Sequence, residues 1–411
     1  MSVRRTTAVS HHNILYFLFV LFSLFLLYPY EFTAVYLPFL PLKEYRIVFF
    51  LFLVTSLVSL VFVRKYKIEA TSLIFIQAIG FSFVELSHGK FLPIFDYTLK
   101  MLMAGLLLGL VSNTIGLKEF YKKYNRWIVV MAILGCITFF LVTFKDYQPL
   151  YFIQDRADTR LIYNYILTFT KSDVLSSNDF RYAGFFDEPG AMAFWGLFAL
   201  LINKLFIKDK YLEIILIPCL LVTFSMGFYV QLFVYIVLFT ISKKNISKHI
   251  FALVMIFVLG IGVSMLENSK YDFIYQSTVG RAEKLLDEGS ESDMSQGVGN
   301  RAEYQEKAYR EFIKGPLLGT SEADSLDLGD NFFEPLAKYG VLGTLLLYSP
   351  LFAILIMSLR RKKYDVTKAV IVILIGFFHR PLHMNMLTFF IIYSMYIFTK
   401  QCVPLKNTAH D

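Results

Sequence analysis

Charge is scarce in this chain. Asp, Glu, Lys and Arg make up 18% of its 411 residues, while 56% are hydrophobic and 17% aromatic. A soluble domain carries about 25% charged residues, so a water-soluble globular or disordered chain is excluded and a membrane protein is expected. Cysteine is scarce too. Of three, Cys136 and Cys219 lie inside apolar runs and Cys402 lies in the tail, which excludes a disulfide framework and a zinc spacing. The seven histidines (His11, His12, His88, His249, His379, His383, His410) all fall outside residues 145–189 and 267–332, the two long polar stretches, so no histidine–carboxylate dyad can form within them. HRPLH (379–383) has histidines four apart, but Pro381 breaks the helix that would align them as ligands. Neither a metal nor a cofactor is expected. A cleavage site is also lacking: the first apolar run leads into Pro29 and Glu31, so it reads as an uncleaved span.

What the chain has is apolar runs long enough, at about 20 residues, to cross a bilayer. They cover 14–29, 46–63, 68–87, 97–116, 127–144, 190–207, 211–225, 228–242, 249–266, 333–358, 367–379 and 384–399. The fold class expected is all-α: a polytopic membrane protein of about 12 transmembrane helices with two sizeable outside loops. The net charge of +8 suggests nucleic acid only until it is located, for residues 267–332 hold fourteen acidic groups against seven basic ones. The basic excess sits in short connections, at Arg64/Lys65/Lys67, Lys118/Lys122/Lys123/Arg126, Lys208/Lys210, Lys243/Lys244/Lys248 and Arg360/Arg361/Lys362/Lys363. These all fall on one side, the cytoplasm, together with both termini. The organisation is then 1–144 with five helices, a first outside loop at 145–189, four helices in 190–266, a second loop at 267–332, and three helices with a cytoplasmic tail in 333–411. GRAE (280–283) and NRAE (300–303) echo each other, but two copies do not make a repeat architecture.

The polar residues at the loop ends carry the chemistry. In RYAGFFDEPGAMAFWG (181–196), Asp187 or Glu188 can cap the sixth helix and Pro189 suits its first position. Capping does not need Arg181, whose planar guanidinium suits bidentate binding of a phosphate or carboxylate. NRAEYQEKAYREFIK (300–314) puts Glu303, Glu306, Lys307, Arg310 and Lys314 on one solvated helical face, with Tyr304, Ala308 and Phe312 opposite and Arg301 on that second face. Arg301 is either a snorkelling first-turn arginine or a second anion contact. Asp330, Asn331 and Glu334 stand at the mouth of the tenth helix, where Asp330 or Asn331 can cap it. Ser225 and Gly227 form a tight turn in TFSMGFY (223–229), and Arg380 is a third outward cation.

This order of motifs resembles the Wzy-type O-antigen and capsule polymerases, within the superfamily that includes the O-antigen ligases. The resemblance rests on Arg181, Gly184, Glu188 and Pro189 at the end of the first loop, on TFSMG, on Arg301 followed by Pro316 and Gly319, and on KYGVLG (338–343) inside the tenth helix. It implies an enzyme of the bacterial inner membrane that needs no cofactor. A glycan on undecaprenyl diphosphate is transferred to a sugar hydroxyl of the next lipid-linked repeat unit, and the carrier diphosphate leaves. Arg181, Arg301 and Arg380 would hold the diphosphate. Glu188 or Asp330 would take the acceptor proton, with Asp187, Ser225, Asn331 and Glu334 in support. Membrane lipids, a chain-length regulator and a flippase are the implied partners, and nucleic acid is not.

Two other readings carry weight. An O-antigen ligase would share the architecture, but ligases carry a histidine and a small polar residue where this chain has Asp330 and Asn331. A lipid-linked oligosaccharide flippase would keep its charges within the spans, and spans one to nine here hold almost none at their centres.

Overall fold

The computed structural model describes residues 70–89, 92–145, 147–154, 161–165, 168–172, 181–184, 186, 188–240, 265, 267, 275, 279–280, 299–324, 326, 328–329, 331–379 and 385–401. Nine of the twelve apolar runs fall in these residues, and each is a helix. The runs at 14–29, 46–63 and 249–266 lie outside them. The helices are α1 (Thr71–Ser87), α2 (Leu92–Thr114), α3 (Leu117–Lys145), α4 (Pro189–Ile202), α5 (Lys210–Leu221), α6 (Met226–Thr240), α7 (Gly299–Lys314), α8 (Phe333–Arg360), α9 (Tyr364–His379) and α10 (Met386–Gln401). The fold is mostly helical. Among the described residues three helices are long and apolar enough to cross a membrane: Leu117–Lys145, Phe333–Arg360 and Pro189–Ile207, the last being α4 with the π-turn that extends it.

The surface of these helices is as informative as their length. On α1, Phe75, Ile76, Ile79, Phe83 and Leu86 are exposed, and on α3 so are Val130, Ile137, Phe140, Leu141 and Phe144. Both sets fall at helical spacings of three, four or seven residues, so each helix turns one apolar face inward and another outward. Exposed apolar stripes of this length are unfavourable in water and natural against lipid.

The chain divides into two compact units. The first holds Met1–Tyr28, Val48–Phe120 and Tyr304–Asp411. In it α2 packs on α1 and α10, and α8 packs on α1, α9 and α10. Gln77 ties three of these helices: its Nε2 donates to the Leu347 carbonyl (2.9 Å), and its Oε1 accepts from Tyr393 Oη (2.6 Å). All three groups avoid the cost of an unmet buried polar atom.

The second unit holds Pro29–Ile47 and Tyr121–Glu303. Here the expectation of an all-α fold needs correcting, because the first loop contains a small sheet. Strands β1 (Tyr151–Gln154), β2 (Leu161–Asn164) and β3 (Phe169–Ser172) form an antiparallel meander, with Tyr151 opposite Asn164 and Leu161 opposite Ser172. Aromatic and β-branched residues favour these pairings. Asn164 adds a hydrogen bond from Nδ2 to Tyr151 Oη at 2.9 Å.

Candidate functional site

Residues 181–188 connect β3 to α4, and the sheet holds their backbone. Thr170 Oγ1 donates to the Arg181 carbonyl (2.6 Å), and the Gly184 N–H donates to Thr168 Oγ1 (2.8 Å). At Gly184, where φ is 65°, the chain turns, and the Phe186 N–H closes the turn on the Ala183 carbonyl at 3.0 Å. Glycine adopts this left-handed backbone without strain, and a side chain there would press on Met192 and Met131. Arg181 stands two residues before the turn and Glu188 two after it.

The side chains between them are driven into the helices. The Tyr182 ring occupies the space that Gly135 leaves open on α3, and its hydroxyl donates to the Cys219 carbonyl of α5 at 2.5 Å. Phe186 lies between Trp127 and Trp195, with ring centroids 6.5 and 6.4 Å away. Gly135, Met131 and Trp127 thus meet Tyr182, Gly184 and Phe186 in turn, along about two turns of α3.

Arg181 is half-buried, and its Nε donates to the Thr223 carbonyl at 3.1 Å. Thr223 begins the TFSMG turn, so two motifs 42 residues apart meet here. The bond fixes the plane of the guanidinium, which sets the direction in which it can grip an oxyanion. Phe224 follows in left-handed backbone (φ 49°). Ser225 then caps α6, its Oγ accepting the Phe228 N–H at 3.4 Å and its carbonyl the Tyr229 N–H at 3.1 Å. Tyr229 stays within electrostatic reach of Arg181.

Glu188 occupies the cap position of α4 in extended backbone, with Pro189 at the first helical position as expected. Its side chain, however, makes no capping hydrogen bond; its carbonyl accepts from Ala191 and Met192 instead. The segment thus carries Arg181, held at Nε next to the start of α6, and Glu188 at the positive N-terminal end of α4. Asp187 lies outside the described residues.

In the first unit, capping at the mouth of α8 falls to Asn331. Its Oδ1 accepts from the Phe333 and Glu334 N–H groups at 2.9 and 3.2 Å, while Nδ2 donates to the Leu328 carbonyl at 2.5 Å. Glu334 pairs with Lys338 at 2.7 Å. Arg301 is in the first turn of α7, and its side chain lies outside the described residues, as do Asp330 and Arg380. Within α7, Tyr304 is half-buried, Ala308 buried and Phe312 packed against the cluster of Ala308, Ala323, Leu328 and Ala337.

The two remaining motifs also converge. The turn after α7 feeds α8 where that helix breaks at Gly340 (φ 63°). The Val341 and Leu342 amides, cut off from their own helix, donate to the carbonyls of Pro316 and Leu317 at 2.9 and 3.0 Å. Gly319 and Gly340 are the contact points: a Cβ on the first would strike the Lys338 carbonyl, and one on the second the Leu317 backbone.

Compared with known proteins, the chain matches no family model and no curated sequence. The site is therefore read from its own geometry. Sequence reasoning missed Thr168, Thr170, Thr223 and Gly135, which position the 181–188 segment. Gly135, alone in an apolar helical run, was the one visible signal of close approach.

Proposed function

We propose that the chain is a membrane glycosyltransferase that polymerises undecaprenyl-diphosphate-linked repeat units at the outer face of a bacterial inner membrane. The observation that carries the reading is Arg181, half-buried and held at Nε by the Thr223 carbonyl, on the segment that enters α4 at Glu188 and Pro189. Twelve spans, with residues 145–189 and 267–332 outside, put this segment on the face where no nucleotide sugar exists and the donor must bring its own activated bond.

In the proposed reaction Arg181 binds and steadies the donor diphosphate, so that negative charge developing on the leaving oxygen meets a preorganised cation. The acceptor hydroxyl oxygen forms a bond to the anomeric carbon as the bond from that carbon to the diphosphate oxygen breaks. The hydroxyl proton passes to Glu188, and the carrier diphosphate departs. Arg301 and Arg380 are proposed as further diphosphate contacts, and Asp330 as the alternative proton acceptor. Asp187 and Glu334 are placed in support. Ser225 and Asn331 contribute by fixing the starts of α6 and α8.

Deleting the gene tests this. The expected phenotype is surface glycan of single repeat units, because the carrier-linked unit is still made, flipped and transferred. Long polymer accumulating on the lipid carrier would instead make the chain a ligase.

A further inference from the structure

The apolar face of α7 that packs inward, Ala308 and Phe312, leaves a second apolar row uncovered. Tyr309, Ile313 and Leu317 are 45%, 57% and 64% exposed. They follow at intervals of four, so they lie one above another on one side of α7 and its closing turn. This row has a fixed neighbour. The Leu317 carbonyl accepts the Leu342 N–H at 3.0 Å, which sets the end of the row directly against α8. There Val341 and Leu345, 40% and 52% exposed, begin the outward stripe of a helix long and apolar enough to cross a membrane. At the other end of the row the Tyr309 ring stands edge-on to Phe333 (5.2 Å), the first residue of α8.

We infer that α7 lies in the plane of the membrane interface, with Tyr309, Ile313 and Leu317 inserted at the boundary of headgroups and acyl chains. The occupant is lipid because the row continues a lipid-facing stripe without leaving the unit. A tyrosine at its head, with an apolar ring and a polar tip, belongs at that depth. An interfacial helix of this kind buries its apolar side about 5–10 Å below the headgroups.

The flanking charges set the lipid preference. Arg310 pairs with Glu306 at 2.5 Å, and Lys314 with Glu311 at 2.5 Å and Glu322 at 3.6 Å. Cations already neutralised by carboxylates add little attraction to anionic lipid, so insertion depends on apolar burial and is indifferent to headgroup charge. The inference rests on α8 crossing the membrane; it is independent of the reaction catalysed.

Site-directed spin labelling of the full chain in lipid nanodiscs tests it. With the native cysteines replaced, single labels are placed at Ile313, Leu317, Glu306 and Leu345. Labels at Ile313 and Leu317 are expected to collide more with oxygen than with a water-soluble nickel chelate, as at Leu345, and the label at Glu306 the reverse. The ratios at Ile313 and Leu317 should agree within about twofold between zwitterionic and anionic bilayers. Nickel collisions at Ile313 and Leu317 matching those at Glu306 would put the row in water, and shielding from both reagents would mean a protein partner or a second copy covers it. Either result overturns the inference. A water-like signal at Leu345 would instead defeat the membrane-spanning reading of α8 itself.

Discussion

At the scale of single residues, what matters is which atoms are already engaged. The Arg181 Nε is held by a main-chain carbonyl at 3.1 Å, so its role depends on guanidinium geometry as well as on charge. Arg181→Lys keeps the charge and loses the fork. The expected result is loss of long glycan chains at unchanged protein level, read on a glycan gel with an immunoblot alongside. Glu188→Gln should lower the rate by about 10²- to 10⁴-fold if the carboxylate takes the proton. A fully active Glu188→Gln beside an inactive Asp330→Asn would move that role to the second loop. Asn331 is a structural case. Asn331→Ala should cost about 1 kcal/mol through loss of the cap, and Asn331→Asp, which can still cap but loses the Nδ2 donor to the Leu328 carbonyl, should also lower thermal stability in detergent. Gly135→Ala puts a methyl group into the Tyr182 ring and should destabilise the protein by about 1–3 kcal/mol, seen as a lower melting temperature.

At the scale of elements, the sheet of the first loop makes a prediction about pH. Burial, with Tyr163 beside it, pushes the Tyr165 phenol from 10.0 up to about 12. The folded form therefore favours the neutral phenol. That share of stability is present in full below the unfolded value near 10 and is lost as pH rises towards 12. Protease resistance of residues 145–189 should hold to pH 10 and fall above it; a decline beginning near neutrality would assign the sensitivity to other groups. These elements were unequally legible in the sequence. Nine of the ten described α-helices follow from apolar runs and terminal signals such as Glu188–Pro189, because length and composition are local properties. The strands were not legible: YFIQ, LIYN and FTKS are four residues each and lack a firm alternation. The meeting of Arg181 with Thr223 could not be read either, since pairing over 42 residues leaves no local pattern. On α7 the charged face concealed the second apolar row, because Arg310 and Lys314 alternate with Tyr309 and Ile313.

At the scale of the whole molecule, sidedness is the property to test. If the chain crosses the membrane twelve times with both termini inside, cysteines placed at Ser177 and Ser292 should react with an impermeant maleimide added to spheroplasts. Positions in the connection 360–363 should react only after lysis. Labelling of Ser177 or Ser292 only from the cytoplasmic side would overturn the arrangement and remove the polymerase reading with it. Both sites discussed above depend on that one arrangement, since each stands at the end of a polar stretch assigned to the outside.

The break in α8 has a consequence in time as well as in space. A helix interrupted at Gly340 has amides, those of Val341 and Leu342, that only the carbonyls of Pro316 and Leu317 satisfy. Those carbonyls lie upstream, so during synthesis from the N-terminus they leave the ribosome before the amides that need them. The later element is therefore completed by an earlier one already in place. Moving residues 315–320 behind α8 by circular permutation would reverse that schedule, and α8 would form with two amides unmet.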